Sequence, residues 1–282
     1  MIHFSDNELI ELLNDDLPYL DLTTFLQEKA KIKVKLEIFT RDDIVISGVE
    51  ESSRIAKLLD CDILEMKISK TKVKKGETIL AFSGAYENIH KVWRTTQLIL
   101  EYSSQIATTT ALMLEKIKEV NDNCQLLTTR KTYPFSKKFC IKSVLNGGGL
   151  IHRLNLSETI LFFPHHRKVY KDNLEFYEQI LKFKAKMPEK KVVVESSSFE
   201  DCKNLFENGV DVVQLDKVSL DELKKVVELR DKSFKNIKII CSGGINLQNV
   251  QDFAKLKIDG VVTSFVYSCG MANLGSRLEI ID

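Results

Sequence analysis

The chain is predicted to be an α/β protein in two parts, an N-terminal α+β sandwich domain followed by an open, incomplete TIM-like α/β barrel. Three features predict this. From about residue 124, six short apolar runs rich in β-branched residues recur at spacings of roughly 20 to 34 residues. Segments of helical period fit between them. The first hundred residues follow a different pattern, in which apolar and polar positions alternate.

Along the chain, KIKVKLEIFTRDDIVISG (31–48) alternates as a half-exposed antiparallel strand pair should, SSRIAKLLDCD (52–62) has helical spacing, and MKISKTKVKKGETILAFSG (66–84) reads as a hairpin around Lys74-Lys75-Gly76. A long helix from about His90 to Val120 bridges the two halves. The six runs are QLLTT (125–129), TILFF (159–163), KVVVE (191–195), DVVQL (211–215), IKIIC (237–241) and GVVTS (260–264). Their apolar residues scarcely alternate, as in parallel strands covered on both faces. DNLEFYEQILKFKAK (172–186) and SLDELKKVVELRDK (219–232) are helices between strands, and Ser219 with Glu222 three residues on forms a capping box. A closed eight-stranded barrel needs about 250 residues. Only about 150 remain here, so the barrel is expected to be incomplete. The boundaries are placed at 1–108 for the N-terminal domain, 109–268 for the barrel, and 269–282 for a C-terminal segment expected to return to the N-terminal domain.

Apolar residues make up 44% and charged residues 29%, as in an ordinary soluble protein; 41 basic against 40 acidic side chains leave a net charge of +1. No global field therefore favours nucleic acid or an anionic membrane. No apolar run is long enough to span a bilayer, and the N-terminus lacks the pattern of a signal peptide, so a cytoplasmic location is expected. The 6 cysteines lie far apart with no CxxC pair and are expected to be reduced and structural.

Against this neutral background one region stands out. TTRKTYPFSKKFCIKSVLNGGGLIHRLNLSE (128–158) gathers Arg130, Lys131, His152 and Arg153 around Gly147 to Gly149. In α/β barrels the chemistry sits at the C-terminal ends of the strands. Those positions hold Arg130 and Lys131, then Glu195, Asp216, Ser242-Gly243-Gly244 and Ser264. Each has a structural alternative: Glu195 could belong to a salt bridge, Asp216 could cap the helix near Ser219, and SGGI could be a tight turn. Together they divide into two chemistries. The four cations suit carboxylate or phosphate oxygens, and the two glycines let backbone amides approach a phosphate. The two carboxylates suit polyol hydroxyls or Mg²⁺. A phosphoribosyl donor uses both sets. His165 and His166, adjacent and without a third spaced ligand, are expected to be surface or supporting residues rather than a metal site.

TTRKT, GGGLIHRLNLSE, the VVVE and QLDK strand ends and SGGI resemble the type II quinolinate/nicotinate phosphoribosyltransferase family. Outside the barrel, DDLPYLDLTT and RTTQLILEYSSQIAT resemble its N-terminal signature and its long helix, so the resemblance covers nearly the whole chain. It implies transfer of ribose 5-phosphate from phosphoribosyl pyrophosphate to an anionic heteroaromatic acceptor, with Mg²⁺ as cofactor, in a homodimer that shares its active sites. It further implies that Arg130, His152 and Arg153 hold the acceptor and that Lys131 contacts acceptor or pyrophosphate. Glu195 and Asp216 would bind the ribose hydroxyls with Mg²⁺, partly through substrate or water. Ser242, Gly243, Gly244 and Ser264 would cradle the 5′-phosphate, and Arg94, two residues off the family spacing, would be lent by one subunit to the other.

Two departures bear on the acceptor. Phe163 stands where the quinolinate enzymes carry a lysine ten residues after the HR arginine, and Leu150 replaces the first histidine of GGGHxHR. A pocket that loses partners for a substrate carboxylate rejects that substrate severely. GGGLxHRLxLSET, LFF and QLDK instead resemble the ModD-type branch, pyrophosphorylases associated with molybdenum transport. Three functions follow from the sequence: a ModD-like phosphoribosyltransferase, a true decarboxylating quinolinate phosphoribosyltransferase with a rebuilt acceptor site, and a non-catalytic oxyanion or nucleotide binder. The two carboxylates favour an enzyme, since an anion sensor gains nothing from acidic groups in its pocket.

Overall fold

A computed structural model describes residues 2–281. In chain order the elements are α1 (Asp6–Asp16), α2 (Leu22–Gln27), β1 (Lys33–Thr40), β2 (Ile44–Val45), α3 (Val49–Leu58), β3 (Asp62–Met66), β4 (Lys72–Val73), β5 (Thr78–Ala85), α4 (Tyr86–Lys118), β6 (Gln125–Thr128), α5 (Lys137–Asn146), β7 (Leu150–Ile151), β8 (Ile160–Phe162), α6 (Pro164–Arg167), α7 (Asn173–Lys186), β9 (Val192–Ser196), α8 (Phe199–Glu207), β10 (Val212–Asp216), α9 (Leu220–Ser233), β11 (Lys238–Ser242), α10 (Val250–Ala254), β12 (Gly260–Thr263) and β13 (Leu274–Ile280). They form two compact units: residues 1–111, 133–148 and 266–282, and residues 112–132 and 149–265.

In the first unit an antiparallel sheet runs in the order β13-β1-β5-β3. β1 buries Val34, Leu36, Ile38 and Thr40 at every second position, as its alternation predicts. The strand pair expected within 31–48 does not form. β1 pairs with β5 and β13, whereas β2 pairs with β4 in a separate two-stranded sheet. The expected hairpin is corrected similarly. The turn at Lys74–Glu77 exists, closed by Glu77 N donating to Lys74 O at 3.1 Å, but it links strands of two different sheets; the antiparallel partner of β5 is β3. Alternation predicts a strand but says nothing of its partner, which depends on which edges the tertiary fold offers.

The same unit buries one charged cluster. Lys142, on α5, donates to Glu50 at 2.9 Å and to both oxygens of Glu51 at 2.8 and 2.7 Å, so its buried ammonium is paired. Gly147 ends α5 with φ −79, an ordinary value for any residue. It is glycine for another reason: a Cβ there would lie 2.4 Å from Ala107 O and 2.7 Å from Thr110 Cβ on α4. Tight helix packing explains this first glycine of the triplet.

The second unit is a seven-stranded parallel sheet, order β7-β6-β12-β11-β10-β9-β8, curled into an open barrel. All six predicted strands are present, and β7 is a short seventh. Phe162 faces outward onto α7, its ring centroid 5.3 Å from that of Phe176 and 4.8 Å from that of Phe183. α9 is capped by Ser219, whose hydroxyl accepts from Glu222 N at 3.2 Å. The reciprocal half of the box is absent, because the Glu222 carboxylate accepts from Phe199 N at the start of α8, 2.6 Å away. Glu222 thus joins two helix N-termini.

Candidate active site

The site is built by a period of two. Leu161, Val193, Val212, Ile240 and Val262, with Leu127 against them, fill the barrel interior. Two residues further along each of these strands stand Phe163, Glu195, Gln214, Ser242, Ser264 and Thr129, and all six line one cavity of about 600 Å³. The apolar layer is its floor and the polar layer its wall. Arg130, Lys131, His152, Arg153, Asp216, Gly243 and Gly244 also line it. One cavity therefore brings together every predicted site residue except Arg94. That residue is exposed on α4 in the first unit, its guanidinium carbon 5.3 Å from the Trp93 ring centroid.

On the cationic side, Arg153 is only 7% exposed, its Nε donating to Asn155 O at 3.3 Å. Among the described residues it makes no ion pair, and burial together with the Arg130 charge lowers its pKa, Glu158 opposing. A buried guanidinium that feels a second cation is costly unless an anion joins them. His152 is pushed down to about 4 by burial and then by Arg153, Glu158 opposing, so its imidazole is neutral at pH 7. A bound anion would reverse this pressure.

On the acidic side, parallel register sets Glu195 opposite Gln214 and Asp216 opposite Ser242. Gln214 Nε2 donates to Glu195 Oε2 at 3.0 Å and to Ser242 Oγ at 3.2 Å, and Ser242 in turn donates to Asp216 Oδ1 at 2.8 Å. One amide thus ties both carboxylates together. Gln214 is 5% exposed and its Oε1 has no hydrogen-bond partner among the described residues. Glu195 is raised by burial and by the Asp216 charge, with Gln214, Lys131 and Lys217 acting the other way. Two carboxylates pressed together in this way, beside a hydroxyl, fit a divalent cation that also takes oxygens from substrate and water. Among the described residues no three His, Cys, Asp or Glu side chains form a complete metal cage.

Gly243 has φ +89, and a Cβ there would lie 2.7 Å from Asp216 Oδ1 and 2.5 Å from Lys217 Cγ; Gly244 has φ +74 and open space where a Cβ would be. SGGI is thus a left-handed turn pressed against one carboxylate, and its second glycine leaves room for a ligand. Phe163 lines the cavity on the same face as Leu161, and its ring stacks on His166 with centroids 5.7 Å apart. His166 Nδ1 accepts from Phe163 N at 2.9 Å, which holds the strand end. Leu150 is 45% exposed and is not among the lining residues. Thr129, Gln214 and Lys217 were not singled out by the sequence. Only Gln214 left a signal there, as a lone amide inside the apolar run DVVQL.

Residues 21–104 match the N-terminal domain, and residues 106–272 the C-terminal domain, of the quinolinate phosphoribosyl transferase family. The chain belongs to that family. It is a phosphoribosyltransferase. A relative from Pasteurella multocida named "Putative pyrophosphorylase ModD" is 31% identical over 95% of each chain. One from Methanothermobacter thermautotrophicus, named "Probable nicotinate-nucleotide pyrophosphorylase [carboxylating]", is 28% identical over 91% of this chain and 92% of its own. The crystal structure of NadC from Streptococcus pyogenes superposes with a TM-score of 0.88 at 25% identity, covering 98% of this chain and 97% of NadC. No helix among the described residues is long and apolar enough to cross a membrane.

Proposed function

We propose that this phosphoribosyltransferase moves ribose 5-phosphate from phosphoribosyl pyrophosphate to an anionic heteroaromatic acceptor other than quinolinate, as a ModD-like enzyme. The observation that carries this is the division of one cavity into a cationic side that makes no ion pair among the described residues and an acidic side tied together by Gln214, with the Phe163 ring between strand ends. Arg130, His152 and Arg153 hold the acceptor's acidic group, and Lys131 reaches acceptor or pyrophosphate. Ser242, Gly243, Gly244 and Ser264 hold the 5′-phosphate. Glu195 and Asp216 take the ribose hydroxyls and, with them, Mg²⁺, which when bound neutralises charge on the leaving pyrophosphate.

The acceptor displaces pyrophosphate at the anomeric carbon through a loose transition state in which positive charge builds on the ribose. Glu195 and Asp216 face that charge from fixed positions, and this preorganisation lowers the barrier. No covalent nucleophile is required. Phe163 offers a flat apolar face to the acceptor ring where a lysine would offer charge. Arg94, exposed on α4 and off the cavity wall, is proposed to enter the site of a second copy in a homodimer.

The names of the archaeal relatives and the likeness to NadC favour a second acceptor, quinolinate, and the two are separated by the carbon dioxide that only quinolinate transfer releases. The test is pyrophosphate release from phosphoribosyl pyrophosphate with Mg²⁺ across a panel of pyridine and azole carboxylates. Release with another panel member and little with quinolinate is expected. Absence of release with every acceptor, in protein that also shows no thermal shift with the donor, would refute the proposal; a donor at 100 times its dissociation constant should add about 2.7 kcal/mol.

A further inference from the structure

Six non-glycine residues have positive φ among those described: Glu28, Asp60, Lys70, Phe135, Lys217 and Lys257. Left-handed backbone is strained for a residue with a Cβ, and such strain outside helix ends and ordinary turns points to function. Glu28 ends α2, Asp60 lies just beyond α3, and Lys257 lies just beyond α10. Of the six, Lys217 is the one on the wall of the active-site cavity.

Lys217 follows the last residue of β10 directly and has φ +54. Two contacts hold it there. Its N–H donates to Ser242 O at 3.0 Å, and Gly243 has given up its Cβ so that Lys217 N and Cγ can lie against its α-carbon; a Cβ there would meet them at 2.7 and 2.5 Å. The lysine stem therefore crosses the glycine turn at its first residue, and Gly244 beside it leaves space open. Although Asp216 precedes it, Lys217 makes no ion pair among the described residues. A lysine used only to neutralise the acidic side would close on one of those carboxylates. An exposed lysine with no part in binding would not need a glycine cleared beneath its stem.

We infer that Lys217 is a phosphate-binding residue of the donor site, its stem laid over Gly243 so that the ammonium overhangs the glycine turn and meets phosphate oxygens held there. The inference rests on the donor chemistry proposed above. Two phosphates of the donor have the same chemistry, the 5′-phosphate and the pyrophosphate, and separate ligands distinguish them.

Calorimetric titration of the full chain, with Mg²⁺, would use phosphoribosyl pyrophosphate, ribose 5-phosphate and pyrophosphate against wild type, Lys217→Gly, Lys217→Asn and Lys217→Arg. Glycine and asparagine both tolerate left-handed backbone, so these variants should melt at or above the wild-type temperature. They should nevertheless lose affinity for phosphoribosyl pyrophosphate by about tenfold or more, the worth of a hydrogen bond to a charged group, while arginine retains most of it. A parallel loss with ribose 5-phosphate assigns Lys217 to the 5′-phosphate; a loss with pyrophosphate assigns it to the leaving group. Wild-type affinities in the folded glycine and asparagine variants would overturn the inference while leaving the proposed function intact. If wild type itself binds none of the three ligands, the donor chemistry fails and the inference fails with it.

Discussion

Replacing Arg153 with methionine should make the ligand-free protein more stable and the ligand-bound protein less so. Arg153 is 7% exposed, donates one hydrogen bond to a carbonyl, and feels the Arg130 charge more strongly than the opposing Glu158 charge. An uncompensated buried ion costs several kcal/mol, of which the open cavity relieves part. Methionine keeps most of the packing of the arginine stem without the charge. A gain of about 1 to 3 kcal/mol follows, or a rise in melting temperature of roughly 2 to 9 °C for a chain of this size. Saturating anionic ligand should reverse the order, since wild type gains about 2.7 kcal/mol at 100 times the dissociation constant and the variant gains little. Thermal unfolding of both proteins, with and without phosphoribosyl pyrophosphate, pyrophosphate or a pyridine carboxylate, measures both effects. A variant less stable than wild type without ligand, yet shifted equally by the anions, would show that Arg153 is a structural cation already satisfied by the fold.

Four other outcomes are expected. Gly147→Ala should destabilise the fold by about 2 to 3 kcal/mol in urea unfolding, because the new methyl meets the backbone of α4 at Ala107 O, 2.4 Å away. His152, held at about 4 in the fold against about 6.5 unfolded, contributes stability that is present above pH 6.5 and lost as the pH falls through 4. On the order of 1 to 3 kcal/mol should disappear between pH 7.5 and 4, and His152→Gln should flatten that dependence. Phe163→Lys should create quinolinate-dependent pyrophosphate release by restoring a charge contact worth on the order of 2 to 4 kcal/mol; no gain in a folded, donor-binding variant would make Phe163 a packing residue. Mixing Arg94→Ala chains with Arg130→Ala chains should restore part of the activity, and failure in chains shown to exchange would remove the shared site.

The six parallel strands of the barrel were legible because their apolar residues run together and the polar end of each stands out, β9 to β12 being almost wholly buried. Glu195, Asp216, Ser242 and Ser264 could be found for that reason: a polar residue closing an apolar strand in an α/β barrel falls on the functional face. The capping role of Ser219 was legible too, because its bond to Glu222 N is local. Strand partners in the first unit were not. β1 has the alternation of a hairpin strand, yet its neighbours are β5 and β13, the latter more than two hundred residues away in sequence. Nor could the sequence separate two uses of glycine: Gly147 yields to a helix packed against it, whereas Gly243 and Gly244 adopt positive φ beside the cavity. Composition and period determine which residues a segment buries and where its polar end lies, since both arise within a few residues of chain. Whether Gln214 joins two acids and whether Lys217 is bent over a glycine depend on groups 19 to 28 positions apart in sequence that only the folded barrel brings together.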